Sequence, residues 1–96
     1  MNVKDLVAKL RELKPFVKAR YKAKVISLFG SFVRGEQNTG SDIDVLVEFD
    51  EGADLFDLIG LNLYLEETLQ RKVDVVPKNA LREELRESVL SEAVSV

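Results

Sequence analysis

Apolar residues recur along this chain with two different periods, and the switch between them outlines a fold. Val3, Leu6, Val7, Leu10, Leu13 and Val17 follow one another every three or four residues with Lys and Arg between them. That spacing is the signature of an amphipathic helix, and it predicts one reaching to about residue 20. Pro15 is expected to kink the helix or split it near Leu13, because proline removes an intrahelical hydrogen bond and crowds the turn before it. Residues 24–30, KVISLFG, are short, apolar and partly β-branched, and predict a strand. Residues 31–36 can form a short helix directly after it. The polar run 37–41, QNTGS, then reads as a turn. Residues 43–49 predict a second strand, apolar on both faces except at Asp44 and Glu48, and Asp50-Glu51-Gly52 ends it.

Asp54 is a candidate N-cap for a helix over residues 55–70. Its apolar set is Leu55, Phe56, Leu58, Ile59, Leu61, Leu63, Leu65 and Leu69, too broad for one face packed on one sheet. This helix and the first one are candidate contact surfaces for another chain, with core packing the reading for most of those leucines. Gly60 costs helix stability and can permit close packing. Residues 73–76 predict a third strand, ended by Pro77. Residues 81–94 predict a last helix with Leu81, Leu85, Val89, Leu90 and Ala93 inward. The order is α-β-α-β-α-β-α, which predicts an α/β (α+β) fold with a small sheet flanked by helices.

At 96 residues the expectation is a single domain over residues 1–96. Cysteine and histidine are both absent. Disulfides, thiolate nucleophiles, imidazole bases and His-ligated metals are therefore excluded, and any catalyst must use Asp, Glu, Lys, Arg, Ser, Thr, Tyr and a hard metal. No run is long and apolar enough for a membrane span and the N-terminus does not read as a signal peptide, so a cytoplasmic protein is expected. Residues 1–24 hold eight Lys/Arg and two Asp/Glu, whereas residues 25–96 hold six and fifteen. The basic segment reads as a solvated helix face, or as an edge that steers a polyanion or an acidic partner. The acidic remainder argues against direct nucleic-acid binding, which depends on neutralising phosphates.

The chemistry gathers around GSFVRGEQNTGSDIDVLVEF, residues 30–49. Gly30 and Ser31 follow one strand and open the short predicted helix, whose N-terminus offers free N–H groups and a positive dipole end, with a hydroxyl and a backbone that a phosphate can approach without a Cβ in the way. Asp42 and Asp44 are two residues apart at the start of the next strand, so their carboxylates share a side. Such a like-charged pair is most easily kept when a cation lies between its members, and carboxylates with phosphate oxygens suit Mg²⁺. Asp74 interrupts the apolar strand KVDVV. It is either a costly buried charge that needs a partner or metal, or an edge-strand residue facing water. Glu48 shares the side of Asp44 but lies farther along, and reads as a rim residue outside the set. Three carboxylates on neighbouring strands beside a phosphate-binding turn suggest metal-assisted phosphoryl or nucleotidyl transfer. Asp74 would complete the second metal site or take a proton.

The set Gly30-Ser31, ten residues, Asp42-x-Asp44 and a later-strand Asp74 resembles the DNA polymerase β-like nucleotidyltransferase superfamily. Arg34-Gly35, Gly40-Ser41 and the RKVDVVP ending of the third strand look like its minimal nucleotidyltransferases. The resemblance covers about residues 25–78 in motif and the whole chain in element order. It implies a mixed three- to four-stranded sheet flanked by helices. It also implies a nucleoside triphosphate donor, expected to be ATP, with Mg²⁺ (two ions). By position it implies Asp42, Asp44 and Asp74 as catalytic metal ligands, and Gly30, Ser31, Arg34 and Ser41 as nucleotide-binding residues. Arg34 would contact phosphate, brace its loop through a carboxylate, or stand as a surface cation. Minimal nucleotidyltransferases are often encoded beside HEPN-domain ribonuclease toxins and act as their antitoxins, and members transfer AMP to a tyrosine of the partner.

The expectation is thus an adenylyltransferase that modifies a HEPN toxin, as a type VII-like antitoxin that can form an oligomer with its partner. With nothing left over for an acceptor domain, the acceptor site would come from another chain. The competing readings are an antitoxin that neutralises by binding alone or in addition, and nucleotidyl transfer to a small molecule or an RNA end.

Overall fold

The computed structural model describes residues 2–35 and 42–96. Helix α1 (Val3–Tyr21) leads into strand β1 (Ala23–Phe29). Strand β2 (Ile43–Phe49), helix α2 (Leu55–Leu69) and strand β3 (Val73–Pro77) follow. A 3-10 turn (Lys78–Ala80), helix α3 (Glu83–Glu92) and a two-residue strand β4 (Val94–Ser95) end the chain. The strands form one sheet in the order β3-β2-β1-β4. β1 runs antiparallel to β2 and β4, while β2 and β3 are parallel, as a strand-helix-strand crossover through α2 allows. The fold is the mixed α/β sheet with flanking helices that the sequence predicts.

Local chemistry sets the boundaries. The Asp5 N–H donates to Asn2 Oδ1 at 2.8 Å and caps α1. Asp54 and Asp57 form a reciprocal capping box at the start of α2, so that two otherwise unpaired N–H groups are satisfied together. β1 carries an irregularity between Val25 and Ser27, and its alternation shifts there. Val25 points into the core before it and Leu28 after it. On β2, Ile43, Val45 and Val47 are fully buried and pack with Leu6, Leu10 and Val17 of α1 and with Leu61 and Leu65 of α2.

Four expectations need correction. Of the two outcomes expected at Pro15 the split does not occur, because α1 continues through it as one helix. Pro15 itself is exposed, and buried Leu6 and Leu10 before it and Val17 after it hold the helix to the sheet. Residues 31–35 form turns, not a helix, and Glu36 lies outside the described residues. The last helix begins at Glu83 and buries none of its residues; Leu85 and Leu90 are about half exposed. The stretch predicted as its end instead forms β4, where Val94 pairs with Leu28 and the Val96 N–H donates to the Ile26 carbonyl at the irregularity of β1. Gly60 does permit close packing, since a Cβ there would lie 3.0 Å from the Tyr21 ring. Among the described residues no helix is long and apolar enough to cross a membrane.

Candidate active site

Strand β2 is an inner strand, flanked by β1 and β3, and this fixes what surrounds Asp44. In the antiparallel pairing Asp44 lies opposite Phe29, the residue before Gly30. In the parallel pairing it lies in register with Asp74. Residues in register on adjacent strands send their side chains to the same face about 5 Å apart. The topology therefore gathers Gly30, Asp44 and Asp74, which are far apart in sequence, at one end of one sheet face. Asp42 sits exposed just before β2, two residues from Asp44 and in phase with it.

Gly30 has φ +83°, a conformation that favours glycine. A Cβ built there would fall 1.9 Å from Asp44 Oδ2. The Asp44 carboxylate thus occupies the space a side chain at position 30 would need. The Gly30 carbonyl accepts from the N–H groups of Val33 and Arg34, both at 3.2 Å, which closes a tight turn. Phe32 is fully buried in that turn and anchors it to the core, while the Arg71 guanidinium lies 5.1 Å from its ring centroid. Sequence reasoning passed over Phe32. Its signal is a large apolar residue inside an otherwise polar turn. Ser31, half-buried, begins the turn beside Gly30.

Burial pushes the Asp44 carboxyl up to about 6, and the negative charges of Asp74 and Asp42 push it the same way; the Arg34 guanidinium opposes them. The field at Asp44 is therefore that of several carboxylates partly offset by the Arg34 guanidinium. Arg34 Nη1 also donates to Glu92 Oε1 of α3 at 3.1 Å, a contact the sequence did not suggest. The ion pair ties the turn to α3, while the charge of Arg34 acts on Asp44.

Of the two readings of Asp74 the structure selects the second: β3 is an edge strand and Asp74 is exposed on it, so solvent meets the cost that burial would bring. Glu48 is exposed and 3.8 Å from Lys78 Nζ, a rim residue as expected. Ser41 lies outside the described residues.

The donor set suits a hard divalent cation. It consists of carboxylates, and Asp44 is pushed toward protonation by burial first and by Asp74 and Asp42 after it. Among the described residues no three acidic side chains already converge as a metal cage. Asp42, Asp44 and Asp74 are the residues that would hold such an ion.

A family model described as nucleotidyltransferase domain matches residues 10–96. The chain belongs to the nucleotidyltransferase family. Among its relatives, protein adenylyltransferase MntA of Thermococcus cleftensis is 36% identical over 96 residues, covering 100% of this chain and 97% of that one. A solved structure described as a candidate minimal nucleotidyltransferase superposes with TM-score 0.82 at 42% identity, over 100% of this chain and 97% of the other. A crystal structure of a toxin-antitoxin with AMP-PNP matches with TM-score 0.70 at 27% identity, over 99% of this chain and 72% of the other. The two solved structures superpose on the fold described above.

Proposed function

We propose that this nucleotidyltransferase moves AMP from ATP to a hydroxyl of a partner protein, a tyrosine of a HEPN ribonuclease toxin, and acts in the cytoplasm as its antitoxin. The observation that carries the reading is the register of Asp44 with Asp74 beside a Gly30 whose missing side chain makes room for the Asp44 carboxylate. Membership of the nucleotidyltransferase family supports it, as do a relative named protein adenylyltransferase and a toxin-antitoxin neighbour described with AMP-PNP.

The chain's own groups divide the work. Asp42, Asp44 and Asp74 would hold Mg²⁺, which neutralises triphosphate charge and lowers the pKa of a hydroxyl close to it. The turn at Gly30 and Ser31 presents backbone N–H groups and a hydroxyl to the triphosphate. Arg34, tied to Glu92, places a cation beside the same carboxylates. Asp74, exposed on the edge, faces the side from which an acceptor can approach. The acceptor oxygen bonds to the α-phosphorus, the bond to pyrophosphate breaks, and the hydroxyl proton passes to a carboxylate or to water. Such catalysis rests on positioning and electrostatics, so the absence of His and Cys is no obstacle.

The test uses ATP labelled at the α-phosphate, Mg²⁺ and a purified HEPN-domain toxin. Wild-type chain is expected to label the toxin, and Asp42→Asn/Asp44→Asn to lose at least about 100-fold of that rate. Equal labelling by the double mutant would overturn the assignment. Toxin neutralisation by the same mutant separates modification from neutralisation by contact.

A further inference from the structure

Helix α2 buries one side and leaves a second apolar side uncovered. Leu61, Leu65 and Leu69 enter the core, whereas Leu55, Phe56, Ile59 and Leu63 are 66, 83, 48 and 60% exposed. Positions 55, 59 and 63 fall on one line along a helix, and Phe56 adjoins it. The result is an apolar stripe about two turns long. An open groove of about 330 Å³ runs beside it, lined by Ile59, Asn62, Leu63 and Asp74 among others. The groove therefore runs from the stripe to Asp74 on the edge strand. Contiguous exposed apolar surface of this kind marks a contact site.

Backbone pairing and charge indicate what covers it. An added β-strand is disfavoured, because the N–H groups of Val73 and Val75 on the edge strand already donate to Glu66 Oε2 at 3.1 Å and Asn62 Oδ1 at 3.0 Å. A partner must then dock through side chains, as a helix does in an apolar groove. Between Arg34 and Arg71 the sequence holds ten acidic residues and no Lys or Arg. Among the described residues Glu48, Asp50 and Asp57 of this span meet Lys78, Lys18 and Lys22, while exposed Asp54 and Glu67 bracket the stripe. A second copy meeting this stripe through a two-fold axis would set like charges together. A basic partner is the complementary one.

We infer that the α2 stripe and the groove at Asp74 dock a helix of the acceptor protein. That helix carries apolar anchors at helical spacing and Lys or Arg on its flanks, and docking there places the acceptor at the sheet edge beside Asp74. The inference rests on the transfer reading and supplies the acceptor site that this reading needs.

The test is binding of a fluorescein-labelled helical peptide with Leu at i, i+4 and i+7 and Lys on its flanks, followed by anisotropy. The comparisons are a Glu-flanked peptide and the variant Phe56→Ser/Leu63→Ser, checked for folding by circular dichroism and for retained Mg²⁺-dependent ATP binding. The Lys-flanked peptide is expected to bind wild type, and to bind the variant at least about tenfold more weakly, as befits loss of two central apolar anchors. The Glu-flanked peptide is expected to be similarly weak. No binding, equal binding by the variant, or indifference to peptide charge overturns the inference. So does sedimentation showing a wild-type dimer that the variant abolishes, which would assign the stripe to a second copy. Failure of ATP binding in wild type would count against the transfer reading alone, since the peptide measurement requires no nucleotide.

Discussion

Alternate residues of β2 face opposite sides of the sheet and live under opposite constraints. Ile43, Val45 and Val47 are fully buried among the side chains of α1 and α2. On the other side Asp44 is half-buried, Leu46 buried and Glu48 exposed. The first set is held by shape, and any neighbour of similar volume would serve. At the Asp44 end, the second set is held in spite of its energetics, with a carboxyl pushed up to about 6 by burial and by two further aspartates. Residues that stabilise a fold and residues that strain it thus alternate along a single strand. Strain that persists in this way points to a task outside folding.

The largest effect should come from the packed side. Ile43→Ala removes buried methyl groups from a face enclosed by two helices, and should cost about 2–5 kcal/mol. That is a large share of the stability of a small domain. Urea unfolding measures it, and a loss below about 1 kcal/mol would mean that the core side is less tightly filled than its burial indicates.

Gly30→Ala tests the junction between the two sides. The added Cβ meets Asp44 Oδ2 and must also sit at positive φ. Backbone strain together with displacement of the carboxylate should cost about 1–3 kcal/mol. Mg²⁺-dependent ATP binding, read by titration calorimetry, should fall more than stability does, because the group displaced is the candidate metal ligand. A variant that unfolds more easily yet binds ATP like wild type would detach Gly30 from the site.

The same contrast explains how much could be read from the sequence. The packed side is legible because burial is periodic: β2 and α2 emerge with their boundaries nearly right, and Asp54 as cap. The candidate site was legible as residue types and spacing, because Gly30, Asp42, Asp44 and Asp74 make sense only as a set. Legibility ended where tertiary neighbours decide. Asp74 in KVDVV reads equally as a buried charge or as an edge residue, because whether a strand is central or at an edge depends on sheet order, which no local pattern carries. The helical pattern of Leu81, Leu85 and Leu90 looked like a core face, yet α3 buries nothing. β4 is two residues long, too short for any period, and the tie from Arg34 to Glu92 joins residues 58 positions apart.

The smallest predicted effect has the opposite sign from the first two. Asp44 titrates at about 6 in the folded chain against an ordinary value of 3.8. Its folded carboxyl therefore holds a proton more tightly than the unfolded one, and stability falls as pH rises from about 3.8 through about 6. Above that window the penalty is complete, and below it there is none. The difference corresponds to at most about 3 kcal/mol, and partial solvent exposure reduces it to about 1–2 kcal/mol. Asp44→Asn abolishes the charge, so without metal at pH 8 it should melt above wild type, by about 4–15 °C for a chain of this length. At pH 3.5 the gap should close. Millimolar Mg²⁺ with ATP should raise the melting temperature of wild type and leave the variant unmoved, since binding to the folded state alone is stabilising. A variant less stable than wild type at pH 8 without metal would show that Asp44 serves the fold and not the site.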